Sequence, residues 1–176
     1  MITFVLFLLF FGVGIVYSSF FEWALHRFLM HRPFGKFDYA FRAHAVVHHR
    51  TFRADDTYEL QNHPLEKQVE DKITIPMAWW NGPVLICIAT LPFILWSIFN
   101  PAWVVVVSIA TASASYYGFY ERIHWCMHYP KGRWFENTRF FKWRNAQHLI
   151  HHRSMHRNFN VVLPIADKCL GTLALE

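Results

Sequence analysis

Apolar and polar positions in this chain fall in blocks rather than interleaving. Ile2 through Phe21 is uncharged and almost wholly apolar, and the run extends to about residue 24. A second block runs from Pro76 to Phe99 and a third from Pro101 to about Tyr120, neither containing Lys, Arg, Asp or Glu. About 20 such residues carry a helix across the ~30 Å hydrocarbon core of a bilayer. The pattern therefore predicts an all-α integral membrane protein with about three transmembrane helices, at about 2–24, 77–99 and 101–121. The last two form a hairpin turned at Asn100-Pro101. Met1-Ile2-Thr3 has no basic residue and the first run leads straight into Glu22, His26 and His31. It reads as a retained span, not a cleaved leader. Pro83 and Pro92 are expected to kink the second span. Ala110, Ala114 and Gly118, at four-residue spacing, are expected to serve helix packing.

The remaining segments, 25–76 and 122–176, are polar. A helix is expected to begin near Phe37 and carry His44, His48 and His49. Arg53 to Pro64 reads as a loop containing His63, and a further helix is expected from about Thr138 through His152. At 176 residues the chain reads as a single domain, 1–176, with the polar segments forming a helical cap.

Charge placement sets the orientation. Charged residues make up 16% of the chain, against about 25% in a typical soluble domain. All 17 Lys and Arg lie within 27–72 and 122–168; the N-terminus and the Asn100-Pro101 turn have none. By the positive-inside rule both polar segments face the cytoplasm. The net charge of +5 is then a matter of topology and anionic lipid, and nucleic-acid binding is not expected. Cys87, Cys126 and Cys169 lie far apart and form no Cys-x-x-Cys pair, which argues against a disulfide framework or a zinc knuckle.

All 12 histidines lie in the two cytoplasmic segments. His148, His151 and His152 share one helical face. His44, His48 and His49, His124 with His128, and His26 with His31 form three further clusters. Only His63 and His156 stand outside them. Neutral imidazole is the commonest side-chain ligand of transition metals, and ten rings on one membrane face suggest a site for two ions. The bland alternatives are interfacial histidines and chance pairs, and four clusters on the same face make them a poor explanation.

The order His-x-x-x-x-His, His-x-x-x-His-His, His-x-x-x-His and His-x-x-His-His resembles the fatty acid hydroxylase and sterol desaturase superfamily of integral-membrane di-iron oxygenases. Asn158-Phe159-Asn160, Pro164, Asp167, Gly171 and Thr172 follow the last box much as the family's Asn-Phe-Gly, Pro, Asp and Gly-Thr do. The resemblance covers roughly residues 22–173. Asn160 stands where the family usually has glycine, a change read here as an Asn tolerated at a position of positive φ. The resemblance implies two Fe ions held by His26, His31, His44, His48, His49, His124, His128, His148, His151 and His152; Zn is another metal such a site can carry after purification. It also implies O2-dependent hydroxylation or desaturation of an unactivated C–H bond in a lipid, such as a fatty acyl chain or sterol.

Around the ligands, Glu22 and Glu121 stand one helical turn before His26 and His124 and are expected to bond the far ring nitrogens. Asn158 and Asp167 are candidate supporting groups, the latter either fixing the tail or pairing with a ligand, and His156 is a candidate neighbour. Phe20, Phe21, Trp23, Tyr116, Tyr117, Phe119 and Tyr120 are candidate pocket walls. No flavin, haem or nicotinamide motif is present, so electrons are expected from an external ferredoxin or cytochrome b5-like donor, docked at Arg139, Lys142 and Arg144. Two alternatives are a carotenoid hydroxylase, which shares a similar histidine pattern, and a membrane metal-handling protein. The spans hold no charge or histidine to form an ion path, which argues against the second.

Overall fold

The computed structural model describes residues 1–59 and 77–175. His63, Lys67, Lys72 and residues 60–64 of the expected 53–64 loop lie outside the described residues. The described chain is helical apart from turns and a single isolated bridge, Phe34 to Phe37. Its elements are α1 (Ile2–Leu25), a π-helical turn (His26–Met30), α2 (Tyr39–Phe41), a second π-helical stretch (Arg42–His48), α3 (His49–Thr51), α4 (Asn81–Phe99) and α5 (Trp103–His128). A 3-10 turn (Trp134–Asn137), α6 (Arg139–Arg153) and α7 (Ile165–Cys169) complete them.

Among the described residues two stretches, Ile2–Met30 and Asn81–Phe99, are long and apolar enough to cross a membrane. Their outward residues are Phe4, Val5, Leu8, Leu9, Ile88, Leu91 and Leu95, all exposed, a surface that suits lipid and not water. The α5 helix is equally long, but Ser108, Thr111, Ser113 and Ser115 make it less apolar.

Packing is closest between α1 and α5. The buried stripe on α1 is Gly14, Ser18, Ser19, Glu22 and Trp23, small until it nears the site. A Cβ on Gly14 would stand 2.6 Å from that of Ala112, so glycine there sets how closely the helices cross. The α5 face that meets it is Val105, Ile109, Ala112 and Tyr116, all buried. The expected packing row is thereby corrected. Ala114 and Gly118 are exposed, because the α1 contact rotates the Ile109–Ala112–Tyr116 stripe inward. Pro83 is also not a kink: it lies in the first turn of α4, where backbone N–H groups have no intrahelical partner to lose. Pro92 is inside the helix.

Beyond the spans, the 158–174 tail folds back between α1 and α6. It is pinned by Ser19 Oγ donating to Leu163 O at 2.8 Å and Trp23 Nε1 donating to Thr172 Oγ1 at 2.9 Å. Phe159 and Ala166 pack against Trp23 in a small apolar cluster.

Candidate metal centre

The histidine spacing explains two unusual turns. His26 and His31 are five apart, and a π-helical turn, with His31 N bonded to His26 O at 3.1 Å, brings i and i+5 onto one face. The rings stack with centroids 5.0 Å apart. The same winding at Arg42–His48 aligns His44 with His49, centroids 4.8 Å apart. Such turns occur mostly as single-turn bulges inside α-helices, frequently at functional sites. On α5 and α6 ordinary α-helical spacing suffices for His124 with His128 and for His148 with His151 and His152.

The rings meet in two groups. His26, His31, His44, His49 and His151 form one, and His48, His124, His128 and His148 the other, with the candidate donor atoms of each within 4.8 Å of one another. Nε2 atoms face each other directly: His26 and His44 at 2.8 Å, His31 and His151 at 3.0 Å, His128 and His148 at 3.1 Å. His152 lies between the groups, its Nε2 3.2 Å from that of His148 and its ring stacked on His49 at 4.2 Å. The structure thus brings all ten clustered histidines together. His156 is exposed and in neither group.

Four rings are oriented from behind by backbone. His26 Nδ1 is bonded to Phe159 O, His151 Nδ1 to Arg157 O at 2.7 Å, His152 Nδ1 to Phe52 O at 2.6 Å and His128 Nδ1 to Tyr58 O at 3.0 Å. A carbonyl only accepts, so each Nδ1 donates and the Nε2 lone pair is left facing the centre. Burial, followed by the neighbouring imidazoles, holds His44, His48, His49, His148 and His152 far below the ordinary imidazole range. His31 is lowered to about 3 and His151 to about 4, again chiefly by burial. All are neutral at neutral pH, the form that ligates metal.

Metal ions fit this arrangement. Both ring nitrogens of His48 and Nε2 of His124 are buried without a hydrogen-bond partner, a costly state for polar atoms. An ion at the second group would engage one ring nitrogen of His48 and Nε2 of His124. Donors on one ion with bonds of about 2.0–2.1 Å stand at most ~4.2 Å apart, so the groups need close only by tenths of an ångström.

The family comparison agrees with this geometry. The model of the family described as fatty acid hydroxylase matches residues 11–172. The chain belongs to the fatty acid hydroxylase family. Enzymes of this family are non-haem di-iron oxidoreductases, and the two histidine groups are consistent with their histidine-box site. No curated protein and no solved structure matches.

Several expected neighbours of this hydroxylase-family site lie elsewhere. Glu22 does not reach His26. Its carboxylate accepts from Tyr116 Oη at 2.7 Å, Asn160 Nδ2 at 2.8 Å and Val161 N at 2.6 Å, because the tail fills the space between them. Glu121 does not reach His124; it accepts from Met77 N at 3.2 Å and from Tyr117. At His26 a backbone carbonyl, Phe159 O, takes the place expected of Glu22, and no sequence signal marks a carbonyl. Asn160 is not at positive φ; Asn158 is, at 53°. Asn160 acts through its side chain, donating to Ser19 O and Glu22. Asp167 fixes the tail, accepting from Phe159 N, Asn160 N and Thr172 Oγ1. Asn158 bonds Gln147 O and, through both side-chain atoms, Ala174. Arg144 is wholly buried and cannot dock a partner. Its guanidinium donates to Gln147 Oε1 and to the carbonyls of Asn160 and Val161.

A cavity between α1, α4 and α5 ends on this centre. Its walls include Phe21, Leu25, Leu85, Ile86, Tyr116 and Tyr120, and among the described residues His26 is the one histidine that lines it. Tyr117 also lines it, as expected. Phe119 is exposed, and Trp23 and Phe20 belong to the Phe159 cluster.

Proposed function

We propose that this chain is a membrane di-iron oxygenase that hydroxylates or desaturates an unactivated C–H bond in the hydrocarbon part of a lipid, such as a fatty acyl chain or sterol. The observation that supports it best is the apolar cavity that runs between the spans and ends at His26. Its lining is almost wholly carbon, so the part of the substrate that enters is a hydrocarbon and not a headgroup.

The ten clustered histidines are the proposed ligands, with His152 joining His48, His124, His128 and His148. Two irons held there would supply reductive activation of dioxygen. The protein's share is arrangement. Carbonyls at residues 52, 58, 157 and 159 hold four rings in one tautomer. Phe21, Leu25, Met30 and Tyr120 place the hydrocarbon against His26 and keep water out. Glu22 and Tyr116 line the cavity next to His26 and are bonded to one another, with Asn160 bonding Glu22 from behind. Glu121 ties Met77 to the end of the third span.

In this reading residues 1–176 act as one domain, α5 is the third span, and the centre lies on the cytoplasmic face. Electrons come from an external ferredoxin or cytochrome b5-like donor. Arg139 and Lys142, both exposed on α6, are suited to an acidic partner.

Lipid mass spectrometry of cells with and without the gene tests the proposal. A product heavier by one oxygen or lighter by two hydrogens, lost in His148→Ala, is the expected result. A hydroxylated carotenoid as the sole product would move the assignment to carotenoids. Ion uptake into vesicles carrying the purified protein, with no oxygen-dependent product, would overturn it.

A further inference from the structure

The four carbonyls that receive Nδ1–H groups differ in what holds them. Each carbonyl belongs to a planar trans peptide whose N–H points the opposite way. Gripping that N–H therefore sets the direction of the C=O. For Arg157 O the paired N–H, on Asn158, donates to Thr172 O at 3.0 Å; for Phe52 O it is Arg53 N, which donates to Thr57 Oγ1 at 3.1 Å. For Phe159 O it is Asn160 N, which donates to Asp167 Oδ2 at 2.8 Å. Among the described residues this is the one case in which a carboxylate stands behind a ligand's carbonyl.

We propose that Asp167 is a positioning residue for the metal centre, acting on His26 through the single peptide group between Phe159 and Asn160. The chain of contacts is Asp167 Oδ2 to Asn160 N–H, then Phe159 C=O to His26 Nδ1–H, leaving His26 Nε2 facing His44 Nε2 at 2.8 Å. Metal-ligating histidines commonly donate directly to a carboxylate, which fixes the tautomer and raises ligand basicity. Here a peptide is inserted between carboxylate and imidazole. A peptide whose N–H bonds an anion is polarised, and its carbonyl becomes the stronger acceptor.

The carboxylate is itself immobilised. Oδ1 accepts from Phe159 N at 3.0 Å and from Thr172 Oγ1 at 2.6 Å, and Thr172 is held by Trp23 Nε1. Asn160 closes the loop, its Oδ1 accepting from Asp167 N at 3.1 Å and its Nδ2 donating to Glu22 Oε2 at 2.8 Å. The group is fully buried and wholly bonded, which gives it the rigidity that positioning requires. His26 is also the histidine that lines the cavity, so the relay acts on the ligand nearest the bound hydrocarbon.

This inference rests on the metalloenzyme reading, and its test keeps the two apart. Ferrous ion is titrated anaerobically into the purified full-length protein against a competing chelator, for wild type, Asp167→Asn and Ser97→Ala. Asn keeps the size and one acceptor oxygen but not the charge, and Ser97 lies on α4 away from the site. The expected result is two ions in wild type, a roughly 10- to 100-fold weaker affinity in Asp167→Asn, and wild-type affinity in Ser97→Ala. An Asp167→Asn protein that melts earlier yet binds iron as wild type does would overturn the relay and leave the oxygenase reading intact. A wild-type chain that takes up no iron would overturn the metalloenzyme reading itself. If Asp167→Asn does not accumulate, nitrogen NMR of the metal-free wild type decides. The relay requires the His26 proton on Nδ1, and a proton on Nε2 refutes it.

Discussion

Arg144 offers a quantitative test of the buried polar layer beneath the centre. Its guanidinium is fully buried, donates to Gln147 Oε1 and to the carbonyls of Asn160 and Val161, and lies within electrostatic reach of Glu22 and Asp167. Arg144→Met keeps much of the volume while removing the charge and its donors. It leaves two buried carboxylates without a nearby cation and three acceptors short of a donor. Removing one member of a buried charged set costs about 3–5 kcal/mol, a large fraction of the roughly 5–15 kcal/mol that holds a domain folded. At about 2–4 °C per kcal/mol for a chain of this size, thermal melting in detergent should fall by roughly 6–20 °C. The double variant Arg144→Met, Glu22→Gln should recover part of that loss, since one of the stranded charges is gone. A single variant that melts within ~2 °C of wild type, or a double variant that simply adds the two losses, would refute this account.

Three further outcomes follow from the geometry. Ala89→Phe, at a buried cavity wall, should abolish lipid product while iron content stays at the wild-type level; product at the wild-type rate would show that hydrocarbon does not occupy this space. Gly14→Val should destabilise by about 1–3 kcal/mol through overpacking, because its Cβ would meet that of Ala112 at 2.6 Å; an unchanged melting temperature would mean that α1 and α5 can separate freely. In the metal-free protein His31 titrates at about 3 and His151 at about 4, below the unfolded value of about 6.5. The unfolded chain therefore takes up protons first, and stability should fall as pH drops from about 6.5 through that lower range; stability that is flat across this window would contradict burial of the two rings.

Much of this was legible because hydrophobic blocks and imidazole spacing are local signals. The blocks ending at Phe21, Phe99 and Tyr120 correspond to the apolar parts of α1, α4 and α5, and the histidine clusters do converge. The five-residue intervals at His26–His31 and His44–His49 were themselves the trace of π-helical winding, a geometry that α-helical periodicity does not suggest. The partners of the rings were not legible. Glu22 and Glu121 have the right spacing for His26 and His124 along one helix. Yet α1 turns Glu22 toward the returning tail, and Glu121 is taken by Met77. The carbonyl that stands in for Glu22 at His26, and those behind His128, His151 and His152, have no side-chain signature. Arg144 looked like a surface base because nothing in its neighbours foretold that Asn160, Val161 and Gln147 would enclose it. Likewise, positive φ fell at Asn158 and not Asn160, since the backbone must reverse just after Arg157 to return the tail to α1.

The seating of the 158–174 tail bears on how the protein is made. These residues are the last of the described chain to leave the ribosome, yet His26 and His151 need the carbonyls of Phe159 and Arg157 to aim their rings. A nascent chain with all its histidines already synthesised still lacks two of the acceptors that organise them. Completion of the centre is thereby deferred until the closing segment docks.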